Sequence, residues 1–133
     1  MIHEIGKHIA NNIPFFVCGE TLQIGFTAQY APVRHTVILN SVGGSTSVHL
    51  PDQVEPIIQF ISRSEDHLQA YNDSMLLFSL FHGATSIELP VENEKQYIVT
   101  LAQAVSTPFN IGFDGKKHEY SLNIKFDLKE KEE

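Results

Sequence analysis

Seven histidines, one cysteine and sixteen carboxylate side chains are the groups from which this chain could build a catalytic or metal site. The histidines are His3, His8, His35, His49, His67, His82 and His118. No two stand at the i, i+4 spacing that presents a metal-binding pair on one helix face. A metal site would have to be assembled by the fold, and ordinary surface or partly buried histidines are the plainer reading. Cys18 alone excludes an internal disulfide and any multi-thiolate metal site. As a nucleophile it would need a base within hydrogen-bond reach. Beside Phe15, Phe16 and Val17 it reads instead as a small buried hydrophobe. Gly43-Gly-Ser-Thr-Ser47 has the glycines of a phosphate cradle, but no lysine follows and the next element is a strand, so it reads as a loop. Asn72-Asp-Ser74 matches a glycosylation acceptor but falls inside a predicted helix, which removes it from consideration. The acidic residues form no recognisable acid/base pair. The residue types therefore describe an acidic domain with no visible active site and call for no cofactor.

Length and composition narrow the classes further. The chain has 133 residues, enough for one domain with a real core, which we place at residues 1–128, with 129–133 as a charged tail. Its apolar content is 42%, and no apolar run approaches the ~18 residues of a membrane-spanning helix. The first residues do not read as a signal peptide. The net charge of -7 argues against a general nucleic-acid-binding surface, which needs a basic patch to neutralise phosphates.

Periodicity supplies the elements. Ile2, Ile5 and Ile9 lie at helical spacing, so residues 2–12 read as a short helix ended by Pro14, with Gly6 weakening it by about 1 kcal/mol relative to alanine. Phe15–Val17 and Thr21–Phe26 read as short extended segments, and His35–Val42 as a strand. Gly43–Gln53 reads as a long exposed loop. Val54–Arg63 reads as the next strand, with Pro56 required near its start or on an edge. Ser64 is placed to cap a helix running to Gly83. The stripe Leu68, Tyr71, Met75 and Phe78, widened by Leu77 and Phe81, is its expected buried face. Thr85–Leu89 is a further short strand.

The organising stretch is Tyr97–Leu128. Tyr120, Leu122, Ile124, Phe126 and Leu128 alternate with polar residues, as in a half-buried strand. Tyr97–Val105 is its partner arm, Asp114-Gly115 signals a tight turn, and Pro108 predicts a bulge or kink near 106–108. The expected fold is α+β: one twisted mixed sheet with two helices packed on one face, closed by a C-terminal β-hairpin. The strand–helix–strand order in the middle is the expected source of a parallel pair.

The ending Pro108-Phe-Asn-Ile-Gly-Phe-Asp-Gly-Lys-Lys-His-Glu-Tyr-Ser-Leu-Asn-Ile-Lys-Phe126 resembles the C-terminal signature of minor capsid or tail terminator proteins of long-tailed phages. The layout agrees too: a strand ending at Gly43-Gly44, a loop, Ile57–Ser64, then a helix. Lys116-Lys117-His118 stands where the family more usually has a Gly-Arg pair. The resemblance implies a structural virion protein at the head–tail junction, assembled in the host cytoplasm, and not an enzyme. It implies a homo-oligomeric ring, commonly a hexamer, on the last ring of tail tube protein. The ring stops tube polymerisation and offers a surface to the head connector. DNA passes through its lumen without sequence-specific binding, and no membrane is involved. A head-completion or tail-tube protein of the same virion is the alternative, and a small ligand-binding domain or enzyme the more distant one. Candidate docking residues are Gly43, Gly44, Val48 and Leu50 in the long loop, with Asp114, Gly115, Lys116 and Lys117 at the hairpin tip.

Overall fold

The computed structural model describes residues 2–25, 33–46, 53–90, 96–114 and 117–130. Its elements are α1 (Ile2–Asn12), β1 (Leu22–Ile24), β2 (His35–Thr46), β3 (Gln53–Ser64), α2 (His67–Phe81), β4 (Ile87–Glu88), β5 (Tyr97–Ala104), β6 (Phe109–Asp114) and β7 (Lys117–Glu130). They form one curled seven-stranded sheet in the order β1-β2-β3-β7-β5-β4, with β6 pairing β7 beside the end of β5. The fold is α+β, and the C-terminal hairpin is present.

β7 holds the sheet together. Along one edge it pairs antiparallel with β3, from Ser64↔His118 to Gln53↔Lys129. Its other edge is shared: β5 takes the later half up to Ala104↔Ile124, and β6 takes the earlier half from Phe109↔Ser121. Residues 105–108, where Pro108 predicts a kink, are the break between them, and the Val105 N–H still donates to the Asn123 carbonyl at 2.8 Å. Every odd step of the alternation is spent in the core: Leu122, Ile124, Phe126 and Leu128 are all buried. The strand continues to Glu130, so Lys129 and Glu130 of the expected tail lie in the ladder.

Cross-strand partners share a face, so the register shows what the helices cover. Ile38, Phe60 and Leu122 form one row, and Ile58 and Ile124 another. Both helices pack on this face. Phe81 of α2 stacks on Phe60 and meets Phe126 edge-on. On α1, a Cβ added at Gly6 would lie 2.7 Å from Ile24 Cδ1 and 3.4 Å from Ile38 Cδ1. The glycine that weakens the helix therefore lets it sit down on β1 and β2.

Three local expectations change. The parallel pair is β1 with β2, in register Leu22↔Thr36, and not the strand–helix–strand unit. Gly43 and Gly44 are strand residues, because β2 runs on to Thr46, and β3 already begins at Gln53; residues 47–52 of the expected loop lie outside the described residues. The reason lies across the ladder. The register shifts between Val42 and Ser45, opposite the stretch of β3 that contains Pro56. Proline cannot donate to the ladder, and the bulge at the glycines absorbs the mismatch. Finally, the α2 cap is Asp66, whose side chain accepts from the Leu68 N–H, while Ser64 stays in the ladder opposite His118 and its hydroxyl accepts from the Asp66 N–H.

Candidate assembly site

Helix α2 takes its orientation from a buried charge. Asp73 is fully buried in mid-helix, and its carboxylate accepts from Arg34 Nε at 2.9 Å and Nη2 at 2.7 Å. Gln69 adds a third donor at 3.2 Å, one turn earlier on the helix. The Arg34 guanidinium also lies 3.6 Å from the centre of the Phe15 ring. A planar fork suits both contacts at once, which lysine could not provide. The Asp73 hydrogen bond pushes the Arg34 pKa up from an already high value, so the cation is permanent. The pair ties α2 to the start of β2 and to the segment after α1. It also rotates the helix: Ala70, Asp73, Ser74, Leu77 and Phe81 are the buried positions.

That rotation corrects the expected stripe. Leu68 is 62% exposed and Tyr71 38%, while Met75 and Phe78 are half-buried. Phe78 still packs against the core, while Tyr71 touches the sheet through Tyr120. Tyr71 meets Tyr120 edge-on, and Tyr120 Oη is hydrogen-bonded to His67 Nε2. His67 also lies edge-on to His118, at 5.3 Å between ring centres. At the other end His82 stacks on Phe78, and its Nδ1 accepts the Ala104 N–H at 3.1 Å. Among the described residues, no three histidine, cysteine or carboxylate side chains gather as metal ligands would. These rings anchor the helix ends to β7 and β5.

Cys18 is exposed and lies in no disulfide, contrary to the buried position its neighbours suggested. The turn at residues 17–22 explains this: Leu22 N–H donates to the Val17 carbonyl and Gly19 N–H to the Leu22 carbonyl. Those bonds fold Val17–Gly19 back beside β1, with Cys18 bridged to Leu22, while Phe16 is buried in the core and Phe15 packs against it.

The proposed docking residues divide as follows. Gly43 and Gly44 sit in the bulge of β2. Val48 and Leu50 lie outside the described residues, as do Gly115 and Lys116. At the tip, Asp114 and Lys117 are the last paired residues of β6 and β7, so the connection is 115–116, one position later than the Asp114-Gly115 signal. Sequence reasoning missed β6 itself as a surface. Phe109, Asn110, Ile111 and Gly112 are all exposed, and among the described residues β6 pairs with β7 alone. The register shift between Asn110 and Gly112, with Gly112 at φ 140°, bends it. Pro108 had marked the break before this strand; the exposed Phe109 and Ile111 were the signal that something other than the core uses it.

No helix of the described chain is long and apolar enough to cross a membrane. A family model described as bacteriophage tail terminator protein matches residues 26–130. No curated protein matches the chain.

Proposed function

Because the chain belongs to the bacteriophage tail terminator family, we propose that it acts as a ring at the head-proximal end of the tail tube. Family membership makes it a structural component of the virion tail that assembles with other virion proteins. The finer reading is ours. The ring, taken as a hexamer, caps the last ring of tail tube protein, ends polymerisation and presents a joining surface to the head connector. DNA crosses its lumen without being gripped, which suits a chain of net charge -7.

The observation that carries this reading is the match over residues 26–130, which spans β2 through β7. Electron microscopy of tail tubes with and without the protein tests it. Tubes of uniform length with a cap at one end are expected when it is present, and overlong tubes when it is absent. Tubes of unchanged length would overturn the termination role.

Within that role we assign the main axial docking contact to residues 43–53, with Val48 and Leu50, and a secondary one to the tip at Asp114–Lys117. Two apolar side chains gain roughly 1.5–3 kcal/mol each when fully covered, and a ring multiplies the contact by its number of subunits. Replacing Val48 and Leu50 together by serine should leave the thermal stability of the subunit intact while tails fail to join heads or grow to abnormal length. A sharp fall in stability, or tails that assemble normally, would remove the assignment.

A further inference from the structure

Four rings converge where α2 begins. His67, the first residue of the helix, lies edge-on to His118 and Tyr120 of β7, and Tyr71, one turn on, meets Tyr120. The register explains the meeting. His118 pairs with Ser64 at the end of β3, two residues before the Asp66 cap, and it shares with Tyr120 and Leu122 the sheet face that α2 covers. Tyr120 is buried there and belongs to the packing. The two histidines add little to the core, His67 being exposed and His118 half-buried.

We propose that His67 and His118 form a site for a divalent transition-metal ion of the zinc or cobalt class, which clamps the start of α2 to β7. Their ring centres are 5.3 Å apart and their planes stand at 87°. Two imidazoles on one tetrahedral ion have this spacing: metal–nitrogen bonds of about 2.1 Å, with each ring centre roughly 1.2 Å behind its nitrogen, put the centres about 5.4 Å apart. The near-perpendicular planes keep the two rings clear of each other around the ion. His67 is bonded through Nε2 to Tyr120 Oη. With that nitrogen donating, Nδ1 carries the lone pair a metal needs, and the tyrosine is the outer partner that fixes ring and tautomer. Among the described residues no third histidine, cysteine or carboxylate completes a set, so water fills the remaining positions. Nitrogen ligands select zinc, cobalt or nickel over magnesium and calcium, which take oxygen. A chain of net charge -7 draws cations to its surface. His118 follows Lys117, the first residue of β7 after the hairpin tip, so a bound ion steadies the root of that hairpin against the helix. Nothing in this site depends on the ring.

Titration of the untagged protein with Co2+ and Zn2+ tests the site. One Co2+ per chain should bind, with the visible absorption bands of a nitrogen-ligated ion. Zinc at ten times its dissociation constant should raise the Tm by about 5 °C, and magnesium at the same concentration should leave it unchanged. His67→Gln and His118→Gln should each weaken Co2+ binding by at least ~10-fold and remove the zinc-induced rise. His118→Gln keeps the His67–Tyr120 bond, so it reads the site even where His67→Gln loosens the helix start. His82→Gln, at the other end of α2, should keep the rise in full. Absence of both the cobalt bands and the rise would show that the two rings only pack. Binding that survives either substitution at wild-type affinity would place the ion elsewhere. Each of these results overturns the site.

Discussion

The two helices use their apolar residues in opposite ways. Helix α1 has few and spends them inward: Ile5 and Ile9 are fully buried, and Gly6 is kept small so that they can be. Helix α2 is apolar almost all round, yet it buries Asp73 and Ser74 and leaves Leu68, Tyr71 and Leu76 outside. In α1 the isoleucines keep to one stripe, so periodicity points to the buried face, although Glu4 is buried beside it. In α2 several faces are apolar enough to dock, and the choice falls to Arg34, whose guanidinium must meet a carboxylate. A helix with more apolar surface than the core can use is a helix with a second appointment. Here Leu68 and Tyr71 lie on the flank that meets Tyr120, and Leu76 on the flank nearer Arg34.

The largest effect that would break this contrast is at Phe81, fully buried against Phe60 and Phe126. Phe81→Ala should cost about 3–5 kcal/mol in urea unfolding, and Phe78→Ala about 1–2, since Phe78 is only half-covered. The reverse order would restore the stripe read from periodicity. Next comes the ion pair. Arg34→Ala strands the buried Asp73 carboxylate and should cost about 3 kcal/mol, the low end for a broken buried pair because Arg34 is partly reached by water. Adding Asp73→Asn should recover part of the loss; no recovery would show that Arg34 acts through Phe15 alone.

The contact between the helices gives a smaller, pH-dependent effect. Burial against Phe81 holds the His8 pKa below its usual value. The folded state therefore prefers neutral His8, and its contribution is complete above pH ~6.5, where the unfolded chain is also neutral. As pH falls below that point the unfolded chain takes up the proton first and stability drops. His8→Gln should flatten this part of the stability profile between about pH 7 and 5. The smallest effect expected is at Leu68, where a change to serine should alter subunit stability by less than about 0.5 kcal/mol. A loss of several times that would place Leu68 in the core.

The sequence was most legible where pattern and partner agree. The alternation in β7 predicted its buried face residue by residue, and Pro108 predicted the gap between β5 and β6. It was least legible where one element answers to another far away. Gly43-Gly44 looks like a loop until Pro56 is set across from it. Ser64 looks like a cap until His118 claims it for the ladder. The α2 face depends on Arg34, well outside any helical window. The exposed apolar residues of β6 were not legible at all, because an exposed phenylalanine and a buried one have the same letter.

The placement of β7 has a consequence for how the subunit comes into being. It follows every other strand in chain order, yet it occupies the middle of the sheet, where Ile58 waits for Ile124 on one side and Ala102 for Phe126 on the other. Until it arrives, the β1–β3 portion and the β4–β6 portion share no strand pairing. Closing contacts of such long sequence separation makes folding slow, in the range of milliseconds to seconds. It also makes folding late, since a growing polypeptide emerging from a ribosome has nothing with which to bridge its halves. The same event that completes the core fixes the two ends of the sheet at a set distance and angle. An unfinished chain therefore holds two part-sheets with no strand to set one against the other.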